Sequence, residues 1–390
     1  MSDTTMALPA AGADGFSSQV ELVREAFLYQ SRFAGSTMVF LIDFPVTESS
    51  AFPLLMRDVA LLSRTGFRIV IVPGADEWIE AVLCKYGIEC VHAESGVRII
   101  AEEAMPFVEM AAFHAANRFM TGLSADRVDA VIGNFVRARG LGVSGGVDMQ
   151  QTGRVDKIYA ESLERVLGQN MIPILPCIGW SPAGKPYHVP PEEIALTVSA
   201  ALGAVKLLIV SAREAIRFSS GASVPGYRVP KGIAVEEGGR LSRITPAEAR
   251  AILDILPDRA ADGSVGADAA ARQFAREIRL ALRAMETGVE RVQLVDGRES
   301  GVILRELFSN QGAGTMIYAD EYESIRPLKT RDIADVLRFM EPLMSRGILL
   351  RRSAADIQEK KNDYVVFEID GTVHASGALH DWGDGQGEIA

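Results

Sequence analysis

The stretch Arg68-Ile69-Val70-Ile71-Val72-Pro73-Gly74-Ala75 decides the fold. Its apolar residues run without alternation, as in a strand buried on both faces, and Pro73-Gly74 ends it. A helical pattern with Trp78, Ile79, Val82 and Leu83 follows. Upstream, Met38-Val39-Phe40-Leu41-Ile42 is a second such strand, and Leu54, Leu55, Val59, Leu61 and Leu62 recur at helix spacing between the two. The alternation continues. Strands are predicted at 128–132, 171–175, 205–210, 291–295 and 315–318. Helices are predicted at 102–120, from Pro191 with Glu192 and Glu193 in its first turn, and at 271–287. This is an α/β pattern: a mainly parallel sheet covered on both faces, giving three layers.

The chain has 390 residues, long enough for two domains. It is 48% hydrophobic and 23% charged, a globular composition. With 40 Lys+Arg against 51 Asp+Glu the formal charge is −11, which argues against a nucleic-acid partner. No apolar run approaches the roughly 18 residues of a membrane span, and no secretory leader is evident, so no membrane partner is expected. Cys84, Cys90 and Cys177 form no CxxC pair, and no two histidines have metal-ligand spacing. A cytoplasmic protein without a metal is therefore expected.

Residues 1–16 are small and polar and read as a flexible N-terminus. A helix with the stripe Val20, Leu22, Val23, Phe27 and Leu28 is expected over 17–33, and a loose linker over 258–271. Thr245-Pro246-Ala247-Glu248 reads as a capping box. The pattern restarts near Glu321: a strand over 322–327, a helix capped by Thr330, a second helix opened by Ser353 and Asp356, and a hairpin turning at Asp370-Gly371. Glu388-Ile389-Ala390 looks like the opening of one more strand. The expected domains are 17–320 and 321–390.

Several segments, in order, resemble the bacterial N-acetylglutamate synthases. They are Ile71-Val72-Pro73-Gly74-Ala75, Ser95-Gly96-Val97-Arg98, Gly133-Asn134-Phe135-Val136, 141–148, 288–298, Leu307-Phe308, 312–317 and 347–353. The resemblance implies an amino-acid-kinase-like three-layer domain followed by a partial acetyltransferase domain of the GNAT type.

Kinases of this fold carry a lysine and a glycine pair after the first strand, to hold phosphates. Here that place reads Asp43-Phe44-Pro45. Asp43 would repel a polyphosphate and Pro45 removes a backbone donor. Loss of phosphoryl transfer is expected, leaving a domain that by resemblance binds arginine as a feedback signal. Pro73-Gly74-Ala75 is either a relic of a phosphate turn or a plain strand-to-helix turn. Arg98 matches a residue that grips an acyl-amino-acid carboxylate in kinase relatives, or else forms a structural ion pair. Tyr29, Glu306, Gly312 and Gly314 match the arginine site. Tyr29 could equally be an oligomer contact, and Glu306 a solvated helix residue.

In the second domain, Arg352 resembles the residue that binds a glutamate carboxylate, with Arg351 adjacent. Glu388 matches the strand carboxylate that serves as general base, needed because an α-ammonium must lose a proton before it attacks a thioester. The resemblance thus implies acetyl transfer from acetyl-CoA, the cosubstrate, to L-glutamate, the first step of arginine biosynthesis, inhibited by L-arginine. It also implies a homo-oligomer, hexamer or tetramer. The basic glycine-rich loop that holds the acetyl-CoA pyrophosphate in this fold would follow Glu388. No segment supplies it, so the expectation is a chain truncated within its catalytic domain and inactive alone. Two alternatives stand beside this one: a non-catalytic arginine-binding regulatory protein, and an acetylglutamate kinase.

Overall fold

The computed structural model describes residues 27, 29–31, 33–93, 96–213, 218–219, 227–256, 267–308, 312–318, 323–369, 372–383 and 386–389. They fall into two compact units, Met1–Tyr318 and Ala319–Ala390.

The first unit is built around β1 (Thr37–Ile42), whose six residues are all buried. It pairs in parallel with β2 (Arg68–Pro73) and with β3 (Lys206–Ser211). β4 (Arg291–Asp296) lies parallel to β3, and β5 (Thr315–Tyr318) closes antiparallel against β4, with Arg243–Ile244 parallel to β5 beyond it. The eight strands run Arg243–Ile244, β5, β4, β3, β1, β2, Ile172–Ile174, Ala130–Ile132.

Successive strand side chains point to opposite faces, so this sheet feeds two cores. Val39, Leu41, Leu207 and Ile209 enter one. Met38, Phe40, Ile42, Leu208 and Val210 enter the other. Helix α1 (Phe52–Arg64) covers the second face with Leu55, Met56, Val59 and Leu62. Helix α2 (Asp76–Lys85) leaves the end of β2 through Gly74 and Ala75. Helix α3 (Met105–Ala125) starts and ends later than expected over 102–120: Pro106 opens it, and Leu123 buries its last turn. Helix α4 (Pro191–Ala201) covers the first face with Ile194, Ala195 and Val198.

Thr245 and Glu248 form the capping box at the start of α5 (Pro246–Leu253), with both reciprocal hydrogen bonds made. Helix α6 (Ala267–Glu286) corrects part of the expected linker. Ala267, Ala269, Ala270 and Ala271 lie inside it, because alanine, whatever else it suggests, is the best helix former. Helix α7 (Val302–Phe308) follows β4.

The second unit is a four-stranded antiparallel sheet in chain order: β6 (Glu323–Pro327), β7 (Tyr364–Ile369), β8 (Thr372–Gly383) and β9 (Gln386–Ile389). Two helices, α8 (Ile333–Ser345) and α9 (Ala354–Glu359), lie between the first two strands. Val336, Met340, Ile357, Tyr364, Val366 and Val373 form its core. The expected cap Thr330 is instead the first residue of a 3-10 turn. Asp332 does the capping there, accepting from the Lys329 N–H at 2.7 Å while pairing with Arg326. Ser353 and Asp356 form the expected capping box of α9.

The expectations for residues 1–16, for the helix before Phe27 and for the Asp370-Gly371 turn lie outside the described residues. Among the described residues no helix is long and apolar enough to cross a membrane, and no group of three or more His, Cys, Asp or Glu is placed to hold a metal ion.

Candidate functional sites

Three constellations gather the chemistry-bearing side chains. The first lies beside α7. Glu306 is 8% exposed, and one carboxylate oxygen accepts from the N–H of Ala313 at 2.7 Å and of Gly314 at 2.8 Å. Burial raises its pKa above the ordinary carboxylate value. Those two bonds oppose the rise, and so do the charges of Lys206 and Arg240. The glycines are required here. Gly312 has φ +61°, and a Cβ on it would meet the Glu306 carboxylate at 2.9 Å; a Cβ on Gly314 would meet the Leu294 carbonyl at 2.2 Å.

Tyr29 packs on Phe33 at 4.7 Å and edge-on to Phe308 at 5.0 Å between ring centroids. The Lys206 ammonium lies 5.0 Å from the Tyr29 ring centroid. Lys206 therefore stands against the Tyr29 ring while its charge acts on Glu306, and Glu306 in turn meets the turn at Gly312 and Gly314. Sequence reasoning missed Lys206, although a lysine opening an otherwise apolar strand was a signal: it is 2% exposed, where lysines are almost never found without a partner.

The second constellation sits at the ends of β1 and β2. The Asp43 carboxylate takes a long hydrogen bond from Gln273 at 3.4 Å. Burial first, then the charges of Glu77, Glu277, Glu192 and Asp76, push its pKa well above the ordinary value. A Cβ on Gly74 would come within 3.0 Å of the Asp43 backbone, and Phe44 stacks on Trp78 at 5.1 Å. Arg98 is buried; it donates to the Asp76 carbonyl at 3.1 Å and pairs with the carboxylates of Asp76 at 3.6 Å and Glu80 at 3.7 Å. Cys177 is buried, and burial pushes its thiol far above the ordinary range.

The third constellation is in the second unit. The capping box fixes the entry of the chain into α9 at Ser353, immediately after Arg352. Arg352 is half-buried, and its Nη1 donates to the Tyr364 hydroxyl and to His380 Nε2 at 3.2 Å. His380 Nδ1 lies 2.8 Å from the Asp363 carboxylate. On β9, Glu388 is the register partner of His380 on β8, which puts both on one face of the sheet. Arg351, by contrast, is exposed and is not part of this cluster. Nothing in the spacing of the histidines singles out His380. Its signal is the fold, which buries it to 6% exposure.

Comparison with known proteins follows this geometry. Residues 46–283 match the amino acid kinase family. An amino-acid acetyltransferase of Shewanella oneidensis is 30% identical over 381 residues, covering 95% of this chain and 80% of that protein. The amino-acid acetyltransferase of Pasteurella multocida is 28% identical over 370 residues, covering 94% and 78%. Among solved structures, the Neisseria gonorrhoeae N-acetylglutamate synthase complexed with coenzyme A and L-arginine superposes with TM-score 0.75 at 27% identity, covering 95% of this chain and 81% of that one. The same synthase complexed with coenzyme A and N-acetyl-glutamate gives TM-score 0.64 at 28% identity, covering 95% and 80%.

Proposed function

The chain belongs to the amino acid kinase family and, along 95% of its length, to the amino-acid acetyltransferases, and from that premise we propose that it acetylates L-glutamate under control by L-arginine. The reaction takes the acetyl group of acetyl-CoA to the α-amino group of L-glutamate and yields N-acetyl-L-glutamate and CoA, a step of arginine biosynthesis in the cytoplasm. The observation that carries the reading is the likeness to an amino-acid acetyltransferase over 381 residues.

We assign the acetyltransferase chemistry to the second unit. Arg352 holds a carboxylate of glutamate, because a guanidinium matches a carboxylate with two parallel N–H bonds. Arg351, exposed beside it, adds positive charge at the entrance. Glu388 takes the proton from the α-ammonium, leaving a free amine to attack the thioester carbonyl directly; the carbonyl carbon–sulfur bond then breaks and CoA leaves as the thiol. Holding both reactants in one geometry supplies the rest of the acceleration.

Arginine belongs to the first constellation. Glu306 offers a buried carboxylate to a guanidinium, and Lys206 offers an ammonium to an α-carboxylate. The turn at Gly312 and Gly314 brings the backbone close. Arg98, held by Asp76 and Glu80, retains a structural ion pair where an ancestral acyl-amino-acid site once lay. Association into a tetramer or hexamer completes the proposal; Phe27, 65% exposed on the helix that precedes β1, is a candidate contact.

The test is incubation with acetyl-CoA and L-glutamate, with and without L-arginine, with CoA release and N-acetylglutamate followed by mass spectrometry. L-Aspartate and L-glutamine serve as controls. Acetylation of glutamate alone is expected. Equal acetylation of all three, or arginine without effect, would contradict the proposal.

A further inference from the structure

We propose that Asp363 and His380 are positioning residues that hold the Arg352 guanidinium in the pose that receives the substrate carboxylate; this rests on the reading of Arg352 as the carboxylate anchor. The argument begins with hydrogen-bond chemistry. An arginine N–H can only donate. The 3.2 Å contact from Arg352 Nη1 therefore requires His380 Nε2 to accept. A neutral imidazole that accepts at Nε2 carries its proton at Nδ1, and Nδ1 sits 2.8 Å from the Asp363 carboxylate, its natural acceptor. Asp363 thus selects the tautomer, and the tautomer aims the lone pair at Arg352. Tyr364, 3% exposed, closes the arrangement: its hydroxyl takes the same Nη1, and its ring meets the His380 ring edge-on at 5.9 Å.

A second arginine of this unit shows what a structural arginine looks like here. Arg326 is bound at both ends by carboxylates, Asp332 at 2.6 Å and Glu368 at 2.6 Å through Nε. Its charge is fully matched. Arg352 is held by neutral groups instead. Among the described residues no carboxylate lies within 4.0 Å of it, and its Nε and Nη2 carry no hydrogen bond. Asp356, whose carboxylate is engaged in capping Ser353, feels Arg352 only at longer range. Nε and Nη2 form one edge of the guanidinium fork, the edge that binds a carboxylate with two parallel bonds. One edge is clamped to the fold and the other is left free for an anion. His380 is also the register partner of Glu388, so the group that aims the anchor stands beside the proposed base.

The test compares the parent protein with R352A, H380A, H380Q, D363A and the double variant R352A/H380A. It measures kcat, the KM for L-glutamate and the KM for acetyl-CoA, with circular dichroism as a check of folding. H380A should raise the glutamate KM about tenfold, the scale of one lost hydrogen bond to a charged group. The kcat and the KM for acetyl-CoA should stay within about twofold. D363A should shift the glutamate KM in the same direction by less. H380Q, whose side-chain oxygen can accept from Arg352 while its amide donates to Asp363, should recover most of the loss. R352A/H380A should be no worse than R352A alone, because the histidine acts only through the arginine.

A raised glutamate KM in R352A with none in H380A would overturn the positioning role, and so would an H380Q variant as impaired as H380A. An R352A variant with an unchanged glutamate KM would instead remove the anchor itself, and this inference with it.

Discussion

His380 and Glu388 stand directly opposite each other on the antiparallel strands β8 and β9, on one face of the sheet. Arg352 reaches the same histidine from the loop before α9. His380 is thus the residue to which both Arg352, by a hydrogen bond, and Glu388, by strand register, are tied. The proposed roles of Arg352 as carboxylate anchor and Glu388 as base both rest on this relationship.

The first prediction concerns nucleotides. Asp43 occupies the end of β1, with Glu77, Glu277, Glu192 and Asp76 raising its pKa further. Such a field of carboxylates repels a polyphosphate. Calorimetry with ATP and magnesium should show no binding in the micromolar range. Measurable phosphorylation of N-acetylglutamate would refute this.

A second prediction concerns arginine. Saturating L-arginine should raise the melting temperature of the parent protein in proportion to occupancy. In Glu306→Gln the charge that meets the guanidinium is gone, and the shift should shrink severalfold. Thermal scans over an arginine titration check both statements. A parent protein whose melting ignores arginine would rule out the sensor.

The third prediction is structural. Gly314→Ala places a methyl group 2.2 Å from the Leu294 carbonyl and 2.7 Å from Val295. The carbonyl belongs to β4, which pairs there with β5, and cannot retreat without losing sheet pairing. Denaturant unfolding should show a loss of about 3 kcal/mol, at the upper end for overpacking. A change below about 0.5 kcal/mol would mean that the turn is far looser than this geometry.

The fourth concerns pH. Asp58 is buried on α1 and one of its carboxylate oxygens has no hydrogen-bond partner among the described residues. Burial pushes its pKa from 3.8 to about 6, against a small opposing effect of Arg57. The folded state therefore holds this proton more tightly than the unfolded state. The stability from this group is full below the unfolded pKa and is lost as pH rises through about 6. Asp58→Asn should stabilise the protein by about 2 kcal/mol at pH 8, with the advantage fading toward pH 4. Urea unfolding at both pH values measures the difference; a constant difference would sink the argument.

The layered α/β fold was legible because its strands are unbroken apolar runs. Met38–Ile42 and Arg68–Val72 have no other economical reading, and the Thr245 and Ser353 capping boxes announce themselves in four letters. The Asp332 cap was not legible: Thr330 and Asp332, two residues apart, are both capping types, and only the hydrogen bond from Lys329 and the pairing with Arg326 show which one accepts. Lys206 and His380 escaped for a common reason. A polar residue on an apolar strand shows its value only when distant partners arrive, Tyr29 and Glu306 for one, Asp363 and Arg352 for the other. Local periodicity carries no information about such partners.

The most direct measurement of the central claim is acetyl transfer from acetyl-CoA to L-glutamate, parent protein beside Arg352→Ala, each with and without L-arginine. The account predicts N-acetylglutamate from the parent, suppression by arginine, and a glutamate KM raised tenfold or more in Arg352→Ala, as for loss of a bidentate charged contact. Glutamate acetylated with the same KM by both proteins, or no N-acetylglutamate formed by the parent, would contradict it.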